Sequence, residues 1–178
     1  LFFGLQSTGF YATLNWLPSL LVDRGFTEVD AGGLLGLTTF VGMPTGFAIS
    51  IFIRKFQSLS AISIAVTSFT FVGLITIWLF NDLIVLGCLL LGFGFAATFP
   101  LSLILVGSRA STGSQTTQLS ALAQGLGYLI AATGTFLFGE LRRLTGNWDA
   151  SLMMILVLTA IQLAAGFYAG RNRVIPAK

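Results

Sequence analysis

Six long apolar runs, each closed off by charged residues, set the plan of this chain: residues 1–22, 31–53, 59–80, 83–107, 119–139 and 151–170. Each holds roughly 20 residues or more, enough at 1.5 Å rise per residue to carry an α-helix across a hydrocarbon core of roughly 30 Å. A membrane β-barrel needs alternating segments of about ten residues, and these runs are too long for that. The pattern predicts an all-α membrane protein with six transmembrane helices.

Thin polar seams run through the oil. At about 100° per residue, Gly94, Thr98, Ser102 and Arg109 share one face of the fourth run. Ser120, Gln124, Tyr128 and Thr135 share one face of the fifth, with Gly127 beside them. The first run puts Ser7, Tyr11 and Asn15 on one face, with Pro18 nearby, and Gln6 and Thr13 on another. The second aligns Thr38, Gly42 and Thr45, and Pro44 predicts a kink there, as Pro100 does in the fourth. A span greasy all round except for one seam faces something polar inside a bundle. The third run has Ser60, Ser63, Thr67 and Thr70 but no amide, tyrosine or proline; such hydroxyls can bond to their own helix carbonyls, so packing against a neighbour is the expectation there. The sixth has Gln162 as its one strong polar group. Runs one, two, four and five are thus the seamed ones, and three and six are plainer. An inverted three-plus-three repeat produces this pattern, with Gln162 against it.

Composition agrees with that solvent. Of 178 residues 55% are hydrophobic and 8% charged, with mean hydropathy +0.92, against about 25% charged in soluble domains. The lipid bilayer is therefore the expected partner, and the net charge of +3 reads as topology rather than nucleic-acid binding. The single cysteine, Cys88, excludes a disulfide within the chain, and the absence of histidine excludes Ser–His or Cys–His catalysis. Metal ligands are too few, and no cofactor or enzymatic activity is expected. No acid or histidine lies mid-span, which leaves no obvious proton carrier. The chain starts at Leu1 already inside a full span, without a cleavable signal pattern, and so reads as part of something longer.

Six spans put both ends on one side. That side collects Arg54, Lys55, Arg109, Arg171, Arg173 and Lys178 without an acid. The other side collects Arg24, Arg142, Arg143 and all six acids. The positive-inside rule then places both ends in the cytoplasm. Trp16, Trp78 and Trp148 fall near the outer ends of spans, where an aromatic belt sits. In the loops, Thr27 is the expected cap of the second helix, and Asn147 or Asp149 that of the sixth.

The side chains that point to function are few. A buried amide without a partner costs roughly 2–7 kcal/mol, so Gln124 needs a partner: another helix, water or a solute. With Tyr128 one turn away and Tyr11 and Asn15 on another helix, a polar solute pocket is the expectation. Thr98 and Ser102 are secondary members. Arg109 is expected either as a topology anchor or as a cytoplasmic gate contact or an attractor for an anionic solute, and the loop residues Arg54 and Lys55 stand with it at the cytoplasmic gate or loop. The numerous glycines serve close helix approach or sliding.

These features resemble a known family. Gly46 followed by Arg54-Lys55 is similar to the degenerate cytoplasmic loop motif of the major facilitator superfamily, with Ser50 at the motif's aspartate position and Ile53 at its second glycine. FFGLQSTGFYATLNWLP (Phe2–Pro18), GFGFAATFPLSLILVGSRAS (Gly92–Ser111), LSALAQGLGYLIAATG (Leu119–Gly134) and GNWDASL (Gly146–Leu152) resemble the cyanate permease and nitroimidazole-resistance transporters of that superfamily. Thr135 stands where that family often has proline. The resemblance implies a C-terminal six-helix half of a twelve-helix secondary transporter of a bacterial inner membrane. It implies a small polar or anionic solute, cyanate among the family's examples, and a missing N-terminal half that supplies the other wall of the site. The rival reading is a six-helix structural or assembly subunit, marked by the absence of any water-accessible cavity.

Overall fold

The computed structural model describes residues 1–55 and 58–171, the side chains at 47, 50, 52, 54 and 55 excepted. These residues form six helices: α1 (Phe2–Asp23), α2 (Glu28–Lys55), α3 (Leu59–Leu79), α4 (Ile84–Gly107), α5 (Gly113–Thr145) and α6 (Asp149–Ala169), with a 3-10 turn at Asn81–Leu83. No strand occurs among the described residues.

Local chemistry starts and stops each helix. The Thr27 hydroxyl accepts from the Asp30 N–H (3.1 Å), the expected cap of α2. Ser58 caps α3 by accepting from Ala61 N–H, and Thr112 caps α5 by accepting from Gln115 N–H. At α6 the sequence left two caps open: Asn147 Oδ1 accepts from Asp149 N–H (3.0 Å), while Asp149 is itself the first helical residue. Gly146, at φ 74°, ends α5 in the left-handed conformation. Its N–H donates to the Arg142 carbonyl (3.0 Å).

Among the described residues, four elements are long and apolar enough to cross a membrane: α3, the 3-10 turn with α4, α5 and α6. The sequence predicts six spans. α1 is long enough but carries Gln6, Ser7, Thr8 and Asn15. α2 spans 28 residues, and the side chains at 47, 50 and 52 in its apolar part lie outside the described residues.

Glycines set the helix pairing. α2 runs parallel to α4, where a Cβ on Gly92 would overlap the Thr38 carbonyl and one on Gly42 would crowd Ala96. α1 runs parallel to α5 through Gly4 against Gly127 and Thr8 against Gly134. α3 lies antiparallel to α4 and α6, through Thr70 against Gly94 and Ser63 against Gly166. Gly32, Gly33, Gly36 and Gly125 face open space, so only part of the glycine content serves close approach.

The interior has two apolar clusters. One joins Leu20, Leu21, Ile77, Ile84, Cys88, Leu91 and Ile155. The other joins Phe2, Val66, Ala97, Leu101 and Leu105. Along α1, α3 and α6 the residues between them are buried and polar: Gln6, Ser7 and Thr8, then Thr67 and Thr70, then Thr159 and Gln162. The bundle is oil, a polar mid-layer, and oil again.

Each end is tied. At the first cluster's end, Asp23 accepts from Arg142 (2.8 Å) and from the Trp148 indole (2.9 Å), and Trp78 donates to Asp149 (2.8 Å). Trp16 donates to the Thr135 carbonyl (3.2 Å). All three indole N–H groups are therefore spent inside the bundle. The Arg24 guanidinium donates to the carbonyls of Ile77 and Trp78 at the end of α3.

Candidate functional site

One hollow of about 590 Å³ opens on the bundle, within the range of small-molecule sites. Among the described residues, its lining comes from α1, α2, α4 and α5, and none from α3 or α6. α1 contributes Gln6, Ser7, Phe10, Tyr11, Thr13 and Leu14, and α2 contributes Leu35, Thr38, Thr39, Gly42, Met43 and Gly46. α4 adds Gly92, Phe95, Ala96, Phe99 and Pro100, and α5 adds Tyr128. These are the four helices whose sequences carry proline, glycine, amide or tyrosine in their seams.

The wall is aromatic and uncharged. Phe10 stands edge-on to Phe95 (centroids 5.8 Å) and to Tyr11 (5.4 Å). Tyr11 meets Tyr128 at 6.4 Å, and Tyr128 stands edge-on to Phe3 at 5.2 Å. Such ring pairs add about 0.5–1.5 kcal/mol each beyond area burial. The two tyrosines are 37% and 41% exposed, and their phenol hydroxyls have no hydrogen-bond partner among the described residues. Thr38 and Thr39 turn their hydroxyls back onto α2 carbonyls (2.9 Å each). The Gln6 amide nitrogen donates to Ser7 Oγ (2.7 Å), and its amide oxygen has no partner among the described residues. None of the described lining residues carries a charge.

A second, shallower groove of about 470 Å³ lies between α1 and α5 and holds Asn15. Tyr11 and Tyr128 border both spaces. The Asn15 amide nitrogen donates to the Tyr11 carbonyl (2.7 Å).

Of the residues singled out in the sequence, the structure thus brings Tyr11, Asn15 and Tyr128 together. Gln124 is half-buried one turn before Tyr128 on α5 and lines neither space. Thr98 (0% exposed) and Ser102 (2%) point into the closed interior, away from the hollow. The Thr98 hydroxyl donates to the Gly94 carbonyl (2.9 Å) and Ser102 to the Phe99 carbonyl (2.6 Å), so both are satisfied on their own helix. The opposite face of α4, its glycine, alanine, proline and phenylalanine side, forms the wall. Arg109 also faces elsewhere. Its guanidinium donates to the carbonyls of Tyr168 (2.8 Å) and Ala169 (2.7 Å), the negative end of the α6 dipole. The Arg54 and Lys55 side chains, with Arg173 and Lys178, lie outside the described residues. Sequence reasoning missed Gln6 and Thr13 as wall residues and the ring set Phe10, Phe95 and Phe99. Each of these three rings is next to a glycine or proline, Phe10 after Gly9, Phe95 after Gly94 and Phe99 before Pro100, and that was the available signal.

An all-helical membrane-type bundle with a hollow whose described lining carries no charge is built like a solute-transport domain. The chain belongs to the Major Facilitator Superfamily, whose sequence model matches residues 1–132. It is 34% identical over 175 residues to the 2-nitroimidazole transporter of Escherichia coli (strain K12), across 98% of this chain and 44% of that protein. It is 44% identical over 82 residues to the putative anionic 4-hydroxy-benzoate permease of Thauera aromatica, across 46% of this chain and 50% of that one. It is 29% identical over 148 residues to the cyanate transport protein CynX of Escherichia coli (strain K12), across 83% and 38%. The resemblance to cyanate and nitroimidazole transporters is thereby established, and the protein is a multi-pass membrane member of a transporter family. The chain spans less than half the length of the 2-nitroimidazole transporter and CynX.

Proposed function

We propose that this chain is the C-terminal six-helix half of a twelve-helix secondary transporter and that its hollow is half of the solute chamber. Alternating access rocks this half against an N-terminal half, in a bacterial inner membrane, with both ends of this segment cytoplasmic. Matching features of the two helix triplets support a three-plus-three inverted repeat. The parallel pair α2/α4 has its counterpart in α5/α1. Arg24, just after α1, holds the end of α3, as Arg109, just after α4, holds the end of α6.

The observation that carries the reading is the 590 Å³ hollow with its ring-rich, uncharged wall. An assembly subunit has no use for such a space. The wall favours a small, flat solute with a few polar atoms. Rings stack on rings, and the Gln6 oxygen and two phenols offer hydrogen bonds. A localised anion is expensive to strip of water without a counter-charge. A carboxylate solute therefore draws its cation from the other half, and a charge-delocalised or neutral one needs none. The test is uptake of radiolabelled 2-nitroimidazole, 4-hydroxybenzoate and cyanate by the full-length protein in proteoliposomes. Saturable uptake of an aromatic solute ahead of cyanate is expected, with Tyr128→Ala reducing it about tenfold at equal protein. No saturable uptake of any of the three, or equal kinetics for Tyr128→Ala, defeats the reading.

A further inference from the structure

Most polar side chains on the wall of the hollow are either occupied or adaptable. Thr38 and Thr39 donate to carbonyls of their own helix. The hydroxyls of Tyr11, Thr13 and Tyr128 turn about one bond and can give or accept a hydrogen bond. They meet whichever atom a solute presents, so they do not select.

Gln6 is different. Its amide nitrogen donates to Ser7 Oγ (2.7 Å), and both residues are 2% exposed, so packing holds the amide in place. The amide oxygen can only accept. It has no partner among the described residues, yet it is not one of the sealed unmet atoms, which are the hydroxyls of Thr67, Thr70 and Thr135. It therefore keeps a small contact with open space, and the space that Gln6 borders is the hollow. One turn further along α1, about 5.4 Å, stands Phe10, whose ring packs edge-on to Phe95. A flat solute lying on those rings has its edge within reach of the oxygen. A second acceptor belongs to α4. Pro100 has no N–H to meet the Ala96 carbonyl one turn back, and both residues line the same hollow.

We propose that Gln6 reads a polar hydrogen on the solute, so that this half of the chamber takes a weakly acidic aromatic N–H or O–H compound in its neutral, protonated form. This rests on the transport reading above. The ring packs on Phe10, Phe95 and Phe99, and its N–H or O–H donates to Gln6 Oε1. Ionising the solute sets a lone pair and a negative charge against that oxygen, and methylating it sets a methyl group there. No described lining residue carries a positive charge that would offset the anion. The solute then carries its own proton, in keeping with spans that hold no acid or histidine at mid-depth.

The probes are 2-nitroimidazole and 1-methyl-2-nitroimidazole, which keeps the ring and nitro group but has no polar hydrogen and cannot ionise. Equilibrium binding of each to the detergent-solubilised full-length protein is the readout. Wild type is expected to prefer the parent compound by about tenfold or more. Gln6→Met keeps the length of the side chain and removes the acceptor. It is expected to bring the preference down to about twofold, through weaker binding of the parent and unchanged binding of the methyl analogue. A packing defect or a purely steric preference leaves the ratio as it was. The second arm needs no variant. As pH rises through the solute's own pKa, affinity for the parent is expected to fall with its neutral fraction. The titratable groups that border the hollow are the Tyr11 and Tyr128 phenols, with none from the described lining of α2 or α4. The methyl analogue reports any effect of theirs and is expected to stay level. Equal affinity for the two compounds in wild type, a preference that survives Gln6→Met, or parent binding that holds as the solute ionises overturns the assignment. A wild-type protein that binds neither compound and transports none of the three solutes defeats the transport reading itself, an outcome distinct from these.

Discussion

Tyr11, Asn15 and Tyr128 on one side, and Thr67, Thr98 and Gln162 on the other, all sit within apolar helices. They end in opposite places. The first set borders open space with polar atoms to spare. The second is sealed in the mid-layer between two apolar clusters, Gln162 at 2% exposure. A polar side chain inside a membrane helix therefore has two fates. Thr98 is met on the carbonyls of its own helix inside the bundle, and Gln162 is just as closed off although its side chain is long. Tyr11, Asn15 and Tyr128 stand on the faces that border open space. The face on which a side chain stands, more than its polarity or its length, separates a wet wall from a dry layer.

The sharpest way to break this division is to strain the dry side and watch whether transport follows. A Cβ on Gly94 would overlap the Thr70 hydroxyl and approach its backbone nitrogen to 2.7 Å. Overpacking of that kind costs about 1–3 kcal/mol. Gly94→Ala is expected to lower the thermal midpoint of the full-length protein in detergent and the amount of folded protein recovered. The KM for solute stays at the wild-type value, because Gly94 borders neither space. A changed KM at normal stability means that the mid-layer and the wall are one functional unit, and the division fails.

Arg109 gives the next effect. Read as a solute attractor, its loss raises KM; read as the clamp on the last α6 carbonyls, its loss costs stability. A cation at a helix C-terminus is worth about 0.3–1 kcal/mol, up to about 2 when partly buried. Arg109→Gln is expected to lower the thermal midpoint by that margin with KM unchanged. A raised KM with an unchanged midpoint restores the attractor role.

Much of this arrangement is visible in the chain itself. The helix count, the cap at Thr27, and the contrast between four seamed runs and two plain ones follow from spacing and residue type, while the cap of α6 was narrowed to Asn147 or Asp149. The direction of the α4 seam does not. Thr98 and Ser102 look like a wet stripe on a helical projection, yet Gly94 on that same stripe is the contact with Thr70. A stripe of small residues is equally good for closing two helices together, and only the partner decides. For α5 the ambiguity is one of register. Tyr128 and Thr135 reach the open spaces and Gln124 does not, because α1 meets α5 from Gly4 against Gly127 onward, one turn past Gln124. Gln6 and Thr13 were legible as polar but sit off the main α1 seam. The hollow is wide enough to take both faces.

The smallest effect is also the most discriminating. Thr67 is 0% exposed, and its hydroxyl has no partner among the described residues. Valine has the same branching at Cβ, so helix preference is nearly unchanged. Replacing an unmet buried hydroxyl by a methyl group removes a desolvation cost of about 1–3 kcal/mol against a small steric change. Thr67→Val is therefore expected to leave stability level or raise it by up to about 1 kcal/mol, with uptake unaltered. Should Thr67→Val slow uptake, the mid-layer hydroxyl is in contact with water or solute during transport, and the closed interior is part of the path.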